Sequence, residues 1–114
     1  MNKRAHGTIM ILEWNEDITL KNAEDFKKAM KEFIEDKPEY MILNMKEVKY
    51  INSTGLGIIA DSVMTSRKEQ KELVIAELQE SVKEIFDIVK FASFIKLFAR
   101  EEEAIKYFQQ SGDE

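Results

Sequence analysis

The sequence predicts an α/β fold: a single domain over residues 1–114, with a mixed sheet of four or five strands and about four helices packed against it. Three observations lead there. Short apolar runs rich in β-branched and aromatic residues alternate with stretches whose apolar residues recur every three to four positions. At 114 residues and 44% hydrophobic content, the chain has the size of one domain with a core of its own. No internal repeat and no long linker divides it.

The first strand is expected over residues 8–14, the run Thr8-Ile9-Met10-Ile11-Leu12-Glu13-Trp14 that follows Gly7. Asn15-Glu16-Asp17 is turn-prone, and Ile18-Thr19-Leu20 is read as a short returning strand. Asn22 is placed as the N-cap of a first helix running to about Asp36, with Glu24 and Asp25 in its first turn. Within that helix Phe26, Ala29, Met30, Phe33 and Ile34 form one apolar stripe.

Pro38 closes the helix, and residues 40–45 follow as a nearly continuous apolar strand of the kind buried on both faces. A second helix carries Leu56, Ile59, Ala60, Val63 and Met64 and ends near Arg67 and Lys68. Residues 73–76 are another strand. A third helix starting near Ser81 buries Val82, Ile85, Phe86 and Val89, and residues 95–98 form a short strand or a bend. The last helix starts at Glu101-Glu102-Glu103 and buries Ala104, Tyr107 and Phe108. Methionines 10, 30, 41, 45 and 64 are read as core filler, Trp14 as packing, and the apolar stretch 91–98 as core.

Composition removes several functions. With no cysteine there is no thiol nucleophile or thiolate metal site, and the lone histidine, His6, lies in a charged stretch beside Lys3 and Arg4, where a solvated side chain is expected. Seventeen Lys and Arg against 22 Asp and Glu give a net charge of −5, which works against a nucleic-acid partner. No apolar run approaches the roughly 20 residues that span a bilayer, and no apolar signal region follows the basic N-terminus, so a cytoplasmic protein is expected. The carboxylate groups Glu16-Asp17 and Glu101-Glu102-Glu103 are read as solvated faces with no nucleophile beside them. An enzyme is not expected, and no cofactor is implied.

One segment concentrates chemistry. Asn52-Ser53-Thr54-Gly55-Leu56-Gly57 sets small hydroxyl residues at the mouth of a helix, where backbone N–H groups lack partners and negative charge is favoured. Gly55 and Gly57 let the backbone turn tightly and let the helix start approach a neighbour or partner closely. Ser53 or Thr54 serves there as an N-cap, as an acceptor of a covalent phosphate, or as both. The same N–H groups attract a free phosphate.

The run from Val48 to Gly57 resembles the signature of the STAS domain, the anti-sigma factor antagonist family, whose usual form is Asp-Ser-Ser/Thr-Gly-Leu-Gly after an aromatic or apolar pair. Asn22-Ala23 before the first helix, the strands at 41–45 and 73–76, and a closing helix near Ala104 fall in family order, so the likeness covers nearly the whole chain. The resemblance implies a binding module that sequesters an anti-sigma factor. That partner is also a serine kinase, which inactivates the antagonist by phosphorylation, and a serine phosphatase restores it. The phosphorylated serine maps onto Ser53 and the neighbouring hydroxyl onto Thr54, with Asn22, Asn52, Gly55, Leu56 and Gly57 completing the expected partner-binding surface.

Three positions depart from the family pattern. Asn52 replaces the acid before the phosphoserine, Asn44 replaces the aspartate near the end of the preceding strand, and the first hairpin lacks its usual glycine at residues 15–17. The two asparagines favour a second reading, an unphosphorylated STAS scaffold or sensing module of a transporter or signalling assembly. Self-association stays open.

Overall fold

Five strands in the order β1-β2-β3-β4-β5 form the sheet, with β1 antiparallel to β2 and every later neighbour parallel. The strands are β1 (Asn2–His6), β2 (Ile9–Glu13), β3 (Tyr40–Asn44), β4 (Glu72–Ala76) and β5 (Leu97–Phe98). Between and after them run α1 (Ala23–Glu35), α2 (Ser53–Lys68), α3 (Glu80–Ile88) and α4 (Glu101–Gly112). The computed structural model describes residues 2–35 and 38–112. The expected end of the first helix at Asp36 lies outside them.

The sheet separates two apolar layers. Leu12, Met41, Leu43, Leu73 and Ile75 project toward α1, α2 and α3, where Phe26, Met30, Phe33, Ile59, Val63, Val82 and Phe86 cover them. Ile9, Ile11, Ile42, Val74 and Ala76 project the other way, toward Ala104 and Phe108 of α4. Strands β3 and β4 are therefore buried on both faces, which explains their unbroken apolar runs. The apolar stripe expected on α1 is buried at every position, and Trp14 packs edge-on against Phe26 at 5.0 Å.

The charged N-terminal stretch forms strand β1, an element its composition does not announce. Gly7 takes a positive φ of 62° in the two-residue loop joining β1 to β2, and His6 lies exposed on that edge strand. Polar side chains conceal such a strand because only one face of an edge pair meets the core. Residues 18–20 do not form the returning strand expected of them; Ile18 makes a single parallel bridge to Ile51. Met64 and Val89 are exposed, not core, and Leu56, Ala60, Met10 and Ile85 are half-buried. Helix α2 turns Ser62 and Ser66 inward instead, each hydroxyl returning a hydrogen bond to the carbonyl four residues back. That rotated stripe is why counting apolar residues misplaced its face. Phe91 and Ile95 are buried as expected, while Phe94, Leu97 and Phe98 are half-buried along the β5 edge.

Candidate functional site at the entrance of helix α2

The chain leaves β3 at Asn44 and reaches α2 through an extended loop held from two sides. From the β2–α1 turn, the Asp17 carboxylate accepts hydrogen bonds from the amides of Lys49 and Tyr50 at 2.7 and 3.2 Å. Ile18 continues the pairing: its amide donates to the Tyr50 carbonyl at 2.9 Å and its carbonyl accepts from the Asn52 amide at 3.0 Å. From α3, Ser81 donates its hydroxyl to the Lys49 carbonyl, and the Gln79 amide group donates to the Lys46 carbonyl. Asp17, read from the sequence as a solvated carboxylate, is thus engaged with backbone.

Asn52 is the N-cap of α2. Its φ of −84° and ψ of 175° are extended, its carbonyl accepts from Leu56, and its side-chain Oδ1 accepts from the Gly55 amide at 2.8 Å. The cap function expected of Ser53 or Thr54 therefore belongs to Asn52. Ser53 becomes the first helical residue and Thr54 the second, both exposed, and neither hydroxyl has a hydrogen-bond partner among the described residues. No acidic side chain occupies the first turn, so the positive end of the helix dipole is not neutralised from within.

The two glycines have different reasons. A Cβ on Gly55 would lie 2.7 Å from side-chain carbons of both Ile18 and Ile51, closer than packed atoms approach, so the fold itself demands glycine. A Cβ on Gly57 would meet nothing within 4 Å. Glycine in a helix costs roughly 0.5–1 kcal/mol relative to alanine. At position 57 no internal contact explains that cost. Gly57 and Thr54 line a groove of about 500 Å³ between α1 and α2, which Lys27, Lys31 and Asp61 also border. Leu56 is half-buried. Two large apolar side chains are exposed on the segments that lead to the entrance: Leu20, 89% exposed, lies two residues beyond Ile18, and Tyr50, 50% exposed, lies two residues before Asn52.

Asn22 closes the β2–α1 turn. Its carbonyl accepts the first helical bond of α1 from Phe26, but its side chain reaches backward and does not cap. Oδ1 accepts from the Thr19 amide at 2.9 Å, and Nδ2 donates to the Asp17 carbonyl at 2.7 Å and to Glu16 at 3.0 Å. The carboxamide is thus engaged inside the turn.

A second polar cluster lies on the α4 side of the sheet. The Arg4 guanidinium spans Glu13 and Glu101, with closest contacts of 2.6 Å to each. Buried Asn44 donates Nδ2 to Glu101 at 2.8 Å and accepts from the Lys46 amide at 2.9 Å. Glu77, in the left-handed region at φ 63°, accepts from the Glu101 amide at the start of α4. Burial pushes the Glu101 carboxyl up, but hydrogen bonds from Arg4 and Asn44, with the charge of Arg4, outweigh it and hold the carboxyl below its ordinary value. Hydrogen bonds to Glu101 and then Glu13 raise the Arg4 guanidinium further. Glu101, expected on a solvated face, is in fact paired at the sheet. Among the described residues no cluster of three or more metal-ligating side chains occurs, and no helix is long and apolar enough to cross a membrane.

Known proteins share this architecture. The chain is 28% identical over 88 residues to BtrV of Bordetella bronchiseptica, a proposed anti-sigma factor antagonist, covering 77% of this chain and 76% of that protein. A crystal structure of a proposed anti-sigma factor antagonist from Thermotoga maritima superposes with a TM-score of 0.86 at 20% identity, covering 93% and 92% of the two chains. A sulfate transporter family protein from Wolinella succinogenes gives 0.79 at 20% identity, over 95% and 90%. The Bacillus cell fate determinant SpoIIAA in its phosphorylated form gives 0.69 at 13% identity, over 94% and 97%. The STAS domain matches residues 1–104, nearly the whole chain, and the protein belongs to the STAS domain family.

Proposed function

We propose that this protein is an anti-sigma factor antagonist that works in the cytoplasm by binding, without catalysis of its own. Its partner is an anti-sigma factor that is also a serine kinase. Phosphorylation of Ser53 switches the antagonist off, and a serine phosphatase restores it. The observation that carries the reading is the free Ser53 hydroxyl: Asn52 does the capping, and Ser53 stands exposed at the unneutralised start of α2. A phosphate there adds about −1.5 to −2 charge and three acceptor oxygens, which the helix entrance tolerates. A partner docked over Leu20, Tyr50 and Gly57 would have to desolvate that dianion. A loss of about 3 kcal/mol is more than a hundredfold in affinity, sufficient to end a complex at fixed concentration. Similarity to BtrV and to phosphorylated SpoIIAA supports the assignment.

The test is incubation with the kinase partner and ATP, followed by phosphosite mapping and pull-down of wild type, Ser53→Ala and Ser53→Asp. Phosphate is expected on Ser53, with Thr54 the lesser site, and Ser53→Asp should lose the partner while Ser53→Ala keeps it. Absence of phosphate from both residues would overturn the switch.

A second reading, an unphosphorylated STAS module of a transporter or signalling assembly, is favoured by Asn52 and Asn44 and by the likeness to the Wolinella succinogenes protein. Equal partner binding by Ser53→Ala and Ser53→Asp would select it.

A further inference from the structure

The segment that presents Ser53 contains little that could fix it in place by itself. Residues 45–52 include no regular element, and among the described residues the loop's own side chains make few of the bonds that hold it. The bonds come from elsewhere, and one carboxylate supplies two of them. Asp17 Oδ1 accepts from consecutive amides, Lys49 and Tyr50, and the next residue, Ile18, brackets Tyr50 and Asn52 with one donated and one accepted bond. Asp17 and Ile18 thus set the height of residues 49–52 along the sheet, as a strand sets its neighbour's register. Asn52 enters α2 from that fixed height, with Gly55 seated against Ile18 and Ile51 at a distance that admits no Cβ.

Asp17 is itself held. Asn22 Nδ2 donates to the Asp17 carbonyl, and Asn22 Oδ1 takes the Thr19 amide, so the turn carrying Asp17 closes on the start of α1. Hydrogen bonds therefore link Asn22 to Asp17, Asp17 to the 49–50 amides, and the adjoining Ile18 to Tyr50 and Asn52, whose side chain caps the first turn carrying Ser53. This linkage crosses 32 positions of sequence between Asp17 and Lys49. No local preference of residues 49–52 substitutes for it.

We propose that Asp17 is a positioning residue for the Ser53 switch, with Asn22 as its support, an inference that rests on the switch described above. Asp17 touches neither Ser53 nor an incoming phosphate. It determines the place and rigidity of the hydroxyl offered to a kinase, and the same geometry offered to a partner when the hydroxyl is bare. Asn22 contributes to partner recognition through this linkage, since its carboxamide is already engaged in the turn.

The experiment compares Asp17→Ala, Asp17→Asn and Ala104→Gly with wild type in the intact protein, well below their melting temperatures. Ala104→Gly loosens α4 on the far side of the sheet and serves as a control for instability alone. Amide hydrogen exchange is read at Lys49, Tyr50, Asn52 and Gly55, and phosphorylation is read as kcat and KM with the kinase partner and ATP. Asp17→Ala should speed exchange at all four amides and lower kcat/KM at Ser53 by about tenfold, as loss of a hydrogen bond to a charged acceptor implies. Asp17→Asn retains an acceptor oxygen and should recover most of both. Ala104→Gly should lower the melting temperature and leave kcat/KM unchanged.

If Asp17→Ala loses melting temperature but keeps wild-type exchange at Asn52 and Gly55, or wild-type kcat/KM, the residue is only a brace and the inference falls. If the kinase leaves wild-type Ser53 and Thr54 unmodified, the switch itself fails. The exchange data then decide separately whether Asp17 sets the helix entrance.

Discussion

Asn44 donates its side-chain amide to the carboxylate of Glu101 at 2.8 Å while its own oxygen accepts the Lys46 amide, so both ends of a buried carboxamide are satisfied. The STAS resemblance leads one to expect an aspartate at position 44. An aspartate would keep the bond from Lys46 but turn its second oxygen on Glu101. Asn44 and Glu101 are therefore matched, and the missing acid of the strand has a structural reason independent of any partner.

Asn44→Asp should therefore destabilise the fold at neutral pH by about 1–3 kcal/mol, the cost of a buried acceptor left facing another acceptor. Acidification should relieve the penalty by protonating one of the pair, and adding Glu101→Gln should restore a donor and recover the loss. Urea unfolding of the two single variants and the double variant measures this. Additive losses in the double variant would show that the two residues are not coupled.

The depressed Glu101 carboxyl gives the wild type its own pH dependence. A carboxyl lowered by folding contributes stability above its unfolded value and loses it as pH falls through the lower folded value. Arg4→Ala removes the guanidinium that donates to Glu101 and supplies the attracting charge. Its melting temperature should lie below wild type at neutral pH, and the gap should narrow in acid. A constant gap from neutral pH to strong acid would assign the effect to lost packing of the arginine stem.

Asn52→Ala should cost about 0.5–2 kcal/mol because the Gly55 amide loses its cap, whereas Asn52→Asp keeps an equivalent cap and should melt within a degree or so of wild type. The added charge beside the hydroxyl should instead change the rate of Ser53 phosphorylation. Thermal melts and phosphorylation time courses separate the two effects. An unchanged rate with a large drop in melting temperature would refute this account of position 52.

The glycines should respond in opposite directions. Gly57→Ala adds a methyl where nothing lies within 4 Å and should stabilise the helix by roughly 0.5–1 kcal/mol, yet weaken partner binding if Gly57 is there for close approach. Gly55→Ala drives a methyl into Ile18 and Ile51 and should destabilise by about 1–3 kcal/mol. Chemical denaturation together with titration of the partner distinguishes stability from docking.

Much of this architecture was legible because its signals are local. The α1 stripe, the doubly buried β3 and β4 and the acidic start of α4 each follow from periodicity or end chemistry confined to one segment. What escaped depended on partners far along the chain. Strand β1 offers one inward-facing cation, and Arg4 acquires meaning only beside Glu13 and Glu101. Asp17 carries no motif, since its two donors are backbone amides that every residue possesses. The cap fell to Asn52 instead of Ser53 or Thr54 because helix α2 begins at Ser53, three residues before Leu56, the first residue of its apolar pattern, a boundary that side-chain chemistry alone does not locate. Met64 was misplaced because the helix buries small serines in the stripe where apolar residues were counted.

The Arg4–Glu101 contact joins residues 97 positions apart. Strand β1 leaves the ribosome well before α4, which carries the carboxylate that latches it. Until then β1 has β2 as its sheet neighbour among the described residues, and an isolated two-stranded ribbon is marginal in water. Closure of this sheet edge thus waits for α4 to leave the ribosome. A chain stalled before α4 would expose an unlatched strand to chaperones, to proteases and to the strands of its neighbours.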